Sequence, residues 1–160
     1  MVREVLRYPH PALKEVAREA RDDGEIERVA RDLEDTMDAF GHCVGLAATQ
    51  LGEMLRIVVV DVSGHRKAPS SNGRLVLVNP RIVGAEGAEV GREGCLSIPD
   101  LTANVRRATR IEVEAGDRSI VSEGFEARCL QHEIDHLDGL LFLDRVDSLT
   151  ADVFRRVRTS

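Results

Sequence analysis

Apolar residues recur along this chain in two rhythms. Ile26, Val29, Ala30, Leu33, Met37 and Phe40 fall at helical spacing and predict an amphipathic helix that Gly41 ends. Leu130, Ile134, Leu137 and Leu141 repeat that spacing, and the stretch from Phe125 to Leu137 has no proline or internal glycine before the stop at Gly139. On this second helix Phe125 and Cys129 form a separate apolar patch, and Arg128, Gln131, Asp135 and Asp138 fill only a narrow polar wedge. Both broad faces are expected to be covered, so the helix reads as the centre of the fold.

The other rhythm is that of strands. Leu55 to Val62 is a β-branched run that reads as a buried strand, and Leu75 to Asn79 is a second one closed by Pro80. Between them, residues 63–74 carry Gly, Pro, Ser and Asn and predict a flexible hairpin loop. Residues 81–83, 103–107, 110–114 and 119–122 read as further short strands, and Leu141 to Asp144 as one more. At the start, Tyr8-Pro9-His10-Pro11 is a turn, with a short helix expected over 12–20 and a charged linker at 21–24. Strands first and a buried helix late predict an α+β fold, with small antiparallel sheets around the central helix.

The composition narrows the function. A chain of 160 residues, 42% apolar and 31% charged, is expected to form a single domain over 1–160 with a substantial core. A net charge of −6 argues against a DNA partner, and 3% aromatic residues without tryptophan argue against base-stacking platforms. No stretch is apolar enough for a signal peptide or a membrane span, and Cys43, Cys95 and Cys129 are odd in number and far apart. The expectation is a cytoplasmic protein with reduced thiols.

The candidate chemistry lies on the central helix, in Gln131-His132-Glu133-Ile134-Asp135-His136. Histidines at i and i+4 on a helix sit about 40° apart around the axis and about 6 Å apart along it, so two imidazoles can share one metal ion. Glu133, on the edge of the same face, projects toward a metal-bound water. A metalloprotease would need a third ligand downstream, yet the residues after His136 hold neither histidine nor glutamate. A structural zinc site would need several cysteines close together.

Two more segments complete a pattern: Gly45-Leu46-Ala47-Ala48-Thr49-Gln50 and Glu93-Gly94-Cys95-Leu96-Ser97. In this order and at these separations the three resemble the signature motifs of peptide deformylases, which remove the formyl group from the initiator formyl-methionine of new proteins. The resemblance implies that Cys95, His132 and His136 bind one divalent metal, Fe²⁺ first, with Zn²⁺, Ni²⁺ or Co²⁺ able to occupy the same site. It implies attack by metal-bound hydroxide, with Glu133 as general base and acid and with Gln50 and the Leu96 backbone N–H as oxyanion donors. The substrates would be N-formylmethionyl nascent peptides. Gly45 and its small neighbours would permit close approach, while Val44, Phe125 and Cys129 are expected to line the methionine pocket.

Cys43 stands where bacterial members usually carry a glycine, and the resulting Cys-Val-Gly-Leu resembles mitochondrial-type members. The tail is shorter than in members with a long C-terminal helix, so its arginines at 155, 156 and 158 read as a solvated helix end or as a contact to the ribosome surface. Glu93 and Arg106 are expected to form an ion pair near the site. Asp135 reads as a supporting or capping group, and His10, His42 and His65 as solvent-facing. The sequence leaves the oligomeric state open.

Overall fold

The run Ile57-Val58-Val59-Val60 shows how the fold is layered. All four residues are buried, because opposite faces of one strand serve two different helices. Ile57 and Val59 pack with Val29, Leu33 and Met37 of helix α1 (Asp23–Ala39), which the Asp22 side chain caps by accepting from Glu25 N at 2.9 Å. Val58 and Val60 face the other way and pack with Leu130, Ile134 and Leu137 of the central helix.

The computed structural model describes residues 1–156. Three antiparallel three-stranded sheets surround the central helix. The first orders β1 (Gly45–Ala47), β2 (Ile57–Val60) and β3 (Leu75–Val78). The second places β7 (Arg110–Ala115) between β4 (Arg81–Glu86) and β8 (Arg118–Glu123). The third places β6 (Ile98–Arg107) between β5 (Glu89–Cys95) and β9 (Val153–Arg155). Helix α2 (Gly124–Leu137) leads directly out of β8, and its residues Ala127, Leu130, Ile134 and Leu137 meet Ile111, Val113 and Ile120 of the second sheet.

Gly139 ends α2 in a left-handed conformation at φ 73°, and a Cβ there would meet the Lys14 carbonyl oxygen at 2.5 Å. The N-terminal segment therefore lies tightly across the helix exit. Ala17 N donates to Leu137 O at 2.8 Å, and Arg56 Nη1 donates to the same carbonyl at 3.0 Å.

Three local expectations are corrected. Residues 12–20 do not form a helix: a 3₁₀ turn covers Pro11–Lys14, and Arg18 then bridges in parallel to Leu55. Leu13, Ala17 and Ala20 have helical spacing and are buried, but the 3₁₀ turn delivers Leu13 and the chain beyond it is held at Ala17 and Arg18 by bonds to Leu137 O, Met54 O and Arg56 N. Residues 141–144 are not a strand but lead into a 3₁₀ turn at Phe142–Arg145, whose Asp144 carboxylate accepts from Leu141 N at 2.8 Å. The tail runs as β9 against β6, with Leu101 opposite Arg155 and Ala103 opposite Val153, not as a helix end. Arg158 lies outside the described residues.

The 63–74 segment is docked rather than loose. The His65 ring stacks on Phe125 at 4.5 Å between centroids, which leaves His65 half-buried while His10 and His42 are exposed. Asn72 N and Nδ2 donate to the buried Glu126 carboxylate at 2.7 and 2.6 Å, and Ser122 Oγ donates to it at 2.7 Å. Glu126→Ala should orphan these donors at a cost of about 1–3 kcal/mol. Urea denaturation checks the cost, and limited proteolysis should show earlier cleavage within 63–74.

Candidate metal centre

Cys95 reaches the central helix because the chain turns sharply beside it. The ladder between β5 and β6 pairs Gly94 with Thr102 and then Cys95 with Ile98, so the register breaks at the cysteine. Such an irregularity re-aims a side chain. Here it brings Cys95 Sγ to 3.4 Å from His136 Nε2. Ligand atoms of Cys95, His132 and His136 all lie within 4.8 Å of one another. The two imidazoles, one turn apart on α2, have centroids 5.1 Å apart.

Each histidine is presented differently. His132 Nδ1 is hydrogen-bonded to Glu93 Oε1 at 2.9 Å, which leaves its Nε2 for the site. Burial would strip the His132 proton, but the charge of Glu133 and the bonds to Cys95 and Glu93 hold it well above the usual histidine range. Burial and the neighbouring His132 push His136 well below that range, so it is neutral with a free lone pair. A proton on His132 therefore occupies a place that attracts a cation, beside a thiol and a neutral imidazole. That donor set of sulfur and nitrogen fits a divalent transition metal with three protein ligands.

Glu133 sits among these groups at 5% exposure, and its Oε1 has no hydrogen-bond partner among the described residues. Burial raises its carboxyl to about 7. A Cβ at position 45 would stand 2.7 Å from Glu133 Oε2, so Gly45 is what lets the carboxylate lie against β1. Gln50 follows in a 3₁₀ turn at Ala48–Leu51, where its Oε1 accepts from Ala47 N at 3.0 Å. That bond turns the amide nitrogen inward, 3.1 Å from Ser97 Oγ and 3.5 Å from Cys95 Sγ.

The cavity over this group measures about 340 Å³. Val44, Gly45, Leu96, Phe125 and Cys129 line it together with Gln50 and Glu133. Cys43 also lies on its wall, its thiol donating to Gly45 O at 3.2 Å and pushed up to about 12 by burial.

Behind the metal group lies an ionic network whose extent the sequence reading missed. Glu93 pairs with Arg107, not with Arg106, through bonds of 2.9 and 3.0 Å. Alternation along β6 explains the correction: Ala103, Val105 and Arg107 point inward, and Arg106 points out, 3.8 Å from Asp147. Arg107 also bonds Asp135 at 2.6 Å, and Arg128 adds a second cation on Glu93 at 2.8 Å. Burial opposes the Glu93 charge, but His132 and Arg107 overcome it and hold the carboxyl well below the usual range. The polar wedge on α2 is thus clamped to protein, with Asp135 buried between Arg107 and the half-exposed Arg145. Ser97, within a motif already singled out, was a further polar group to be found there.

A half-buried thiol and two buried imidazoles, with a carboxylate on the same helix as the imidazoles, define the class: a metallohydrolase built on a His-Glu-x-x-His helix. A family model described as polypeptide deformylase matches residues 2–152. The chain is 46% identical over 160 residues to a peptide deformylase of Alkalilimnicola ehrlichii, covering 96% of this chain and 86% of the relative. A crystal structure of a peptide deformylase from Legionella pneumophila superposes with TM-score 0.83 at 37% identity, covering 93% of this chain and 88% of that one. A Met-Ala-Ser-bound class I type b peptide deformylase from Acinetobacter baumannii gives TM-score 0.81 at 30% identity, covering 91% and 99%. The chain belongs to the peptide deformylase family, a family of metal-dependent hydrolases.

The network predicts an uneven response to losing its cations. Arg107→Leu should cost about 3–5 kcal/mol, since it leaves buried carboxylates short of a counter-charge. Arg145→Ala, at an exposed cation, should cost about 1 kcal/mol or less. Equilibrium unfolding of the metal-free protein checks both.

Proposed function

We propose that this chain removes the N-formyl group from the initiator methionine of newly made peptides in the cytoplasm, using one divalent ion, Fe²⁺, held by Cys95, His132 and His136. The observation that carries this reading is the convergence of those three ligand atoms with Glu133 Oε1, which has no hydrogen-bond partner among the described residues. Held by Cys95, His132 and His136, such an ion would supply Lewis acidity at the site and lower the pKa of water there. A thiolate in the ligand set supports Fe²⁺ over harder ions. The described residues include no helix long and apolar enough to cross a membrane.

The protein's own groups then move protons and stabilise charge. The Glu133 carboxylate accepts a proton from water as the water oxygen bonds to the formyl carbon. Gln50 Nε2, aimed toward Cys95 by the Ala47 N–H, and the backbone N–H of Leu96 donate to the oxygen that gains charge. Glu133 returns the proton to the peptide nitrogen as the carbon–nitrogen bond breaks, releasing formate and a free methionine amine. The apolar walls at Val44, Phe125 and Cys129 take the methionine side chain, and Gly45 keeps the approach to Glu133 open.

Hydrolysis of formyl-Met-Ala-Ser tests this reading. Glu133→Ala should retain metal, by elemental analysis, and lose at least about 10³ in kcat. Gln50→Ala should lose about 10²–10³ in kcat with a smaller change in KM. An impairment confined to KM would make Gln50 a substrate-binding group only. For the ligand set, Cys95→Ser should lose metal, and activity of the iron-loaded parent should fade in air while nickel-loaded protein persists. Full metal content and activity in Cys95→Ser would exclude Cys95 as a ligand.

A further inference from the structure

The third sheet carries a group of side chains that the chemistry above does not use. On β5, Arg92 and Gly94 lie two residues apart and so share a face; on the tail, Phe154 and Arg156 do the same. The ladder aligns them, with Gly94 opposite Thr102 and Thr102 opposite Phe154 across β6. The Arg92 guanidinium lies 3.9 Å from the Phe154 ring centroid, and it also donates to Asn104 Oδ1 at 3.1 Å and Thr102 Oγ1 at 3.3 Å. Arg156, tethered by its N–H to Asp100 O at 2.8 Å, reaches back over the sheet. A Cβ at residue 94 would stand only 2.1 Å from its Nη2, so the guanidinium lies directly on Gly94, the residue before Cys95.

Both arginines line the cavity over the metal group. Neither forms an ion pair among the described residues, whereas the carboxylates lining that cavity, Glu93 and Glu133, face inward from the rim. A protein of net charge −6 therefore shows a cationic lip at the cavity mouth. With the formyl carbon near Cys95, the second and third substrate residues begin within about 4–7 Å of extended chain from it, close to Gly94.

We propose that Arg156 and Arg92 read the substrate beyond its methionine, selecting formyl-methionyl peptides with an aspartate or glutamate at the second or third position. This rests on the deformylase reading. A flexible surface carboxylate meeting two exposed guanidiniums gains modestly, and a lysine there is repelled. The glycine at 94 admits the Arg156 guanidinium, and the Phe154 ring fixes that of Arg92.

The test compares kcat/KM for formyl-Met-Ala-Glu, formyl-Met-Glu-Ser and their lysine counterparts within each preparation, so that any general loss of activity cancels. The parent should favour the acidic peptides by about five- to tenfold at low ionic strength, and the ratio should shrink toward one in about 1 M salt. Arg156→Glu should invert the ratio, and Arg92→Ala should lower it. Calorimetry with the products Met-Ala-Glu and Met-Ala-Lys should show the same order of affinity, with no turnover involved. A parent that treats acidic and basic peptides alike, or an Arg156→Glu variant that keeps the parental ratio, overturns the assignment. If formyl-Met-Ala-Ser is not hydrolysed either, the deformylase reading fails, and the calorimetric order alone decides whether the lip reads carboxylates.

Discussion

The buried carboxylate of Glu93 is the constraint on which the site depends. It lies at 6% exposure in contact with three groups from two elements: His132 and Arg128 of α2, and Arg107 of β6. Without them its charge could not stay in the interior. With them it fixes the His132 ring and locks the helix against the third sheet. Cys95 is two residues further along the same strand, so the carboxylate that orients His132 also anchors the strand that carries the thiol.

Each sheet then contributes something the others do not. The first supplies Gly45, which leaves room for Glu133, and runs on into the turn that carries Gln50. The second leads through β8 straight into α2 and covers its apolar stripe. The third delivers Cys95 and the arginine network. The groups around the cavity sit on helix, turn and strand residues, and that rigidity suits the proposed chemistry, which needs a carboxylate, an amide and a metal held in fixed geometry.

Much of this was legible in the residues. The central helix announced itself through two unlike apolar faces, and Ile57 to Val60 through an unbroken apolar run, because burial on both sides leaves no polar alternation. The three motifs could be joined through the family they resemble, and the fold gathers them around one cavity. Other features were not legible. Leu13, Ala17 and Ala20 have the spacing of a helix, yet only a 3₁₀ turn forms at Leu13, and bonds from Ala17 and Arg18 to Leu137, Met54 and Arg56 hold the chain after it out of a helix. Arg106 and Arg107 are adjacent and chemically identical, and only the facing of β6 decides which one is buried. The tail showed a run of arginines but no sign that Phe154 would place it in a sheet.

The two-sided burial of β2 also bears on how the chain comes into being. A ribosome releases α1 and the first sheet well before α2, so the inner sides of Val58 and Val60 wait for the helix that covers them. Their partners Leu130, Ile134 and Leu137 emerge about 70 residues later, and the Lys14 carbonyl meets Gly139 later still. Non-local closure of this kind is slow, and it leaves apolar surface open to association in the meantime. A catalyst for nascent chains is therefore, as a nascent chain itself, exposed until α2 arrives.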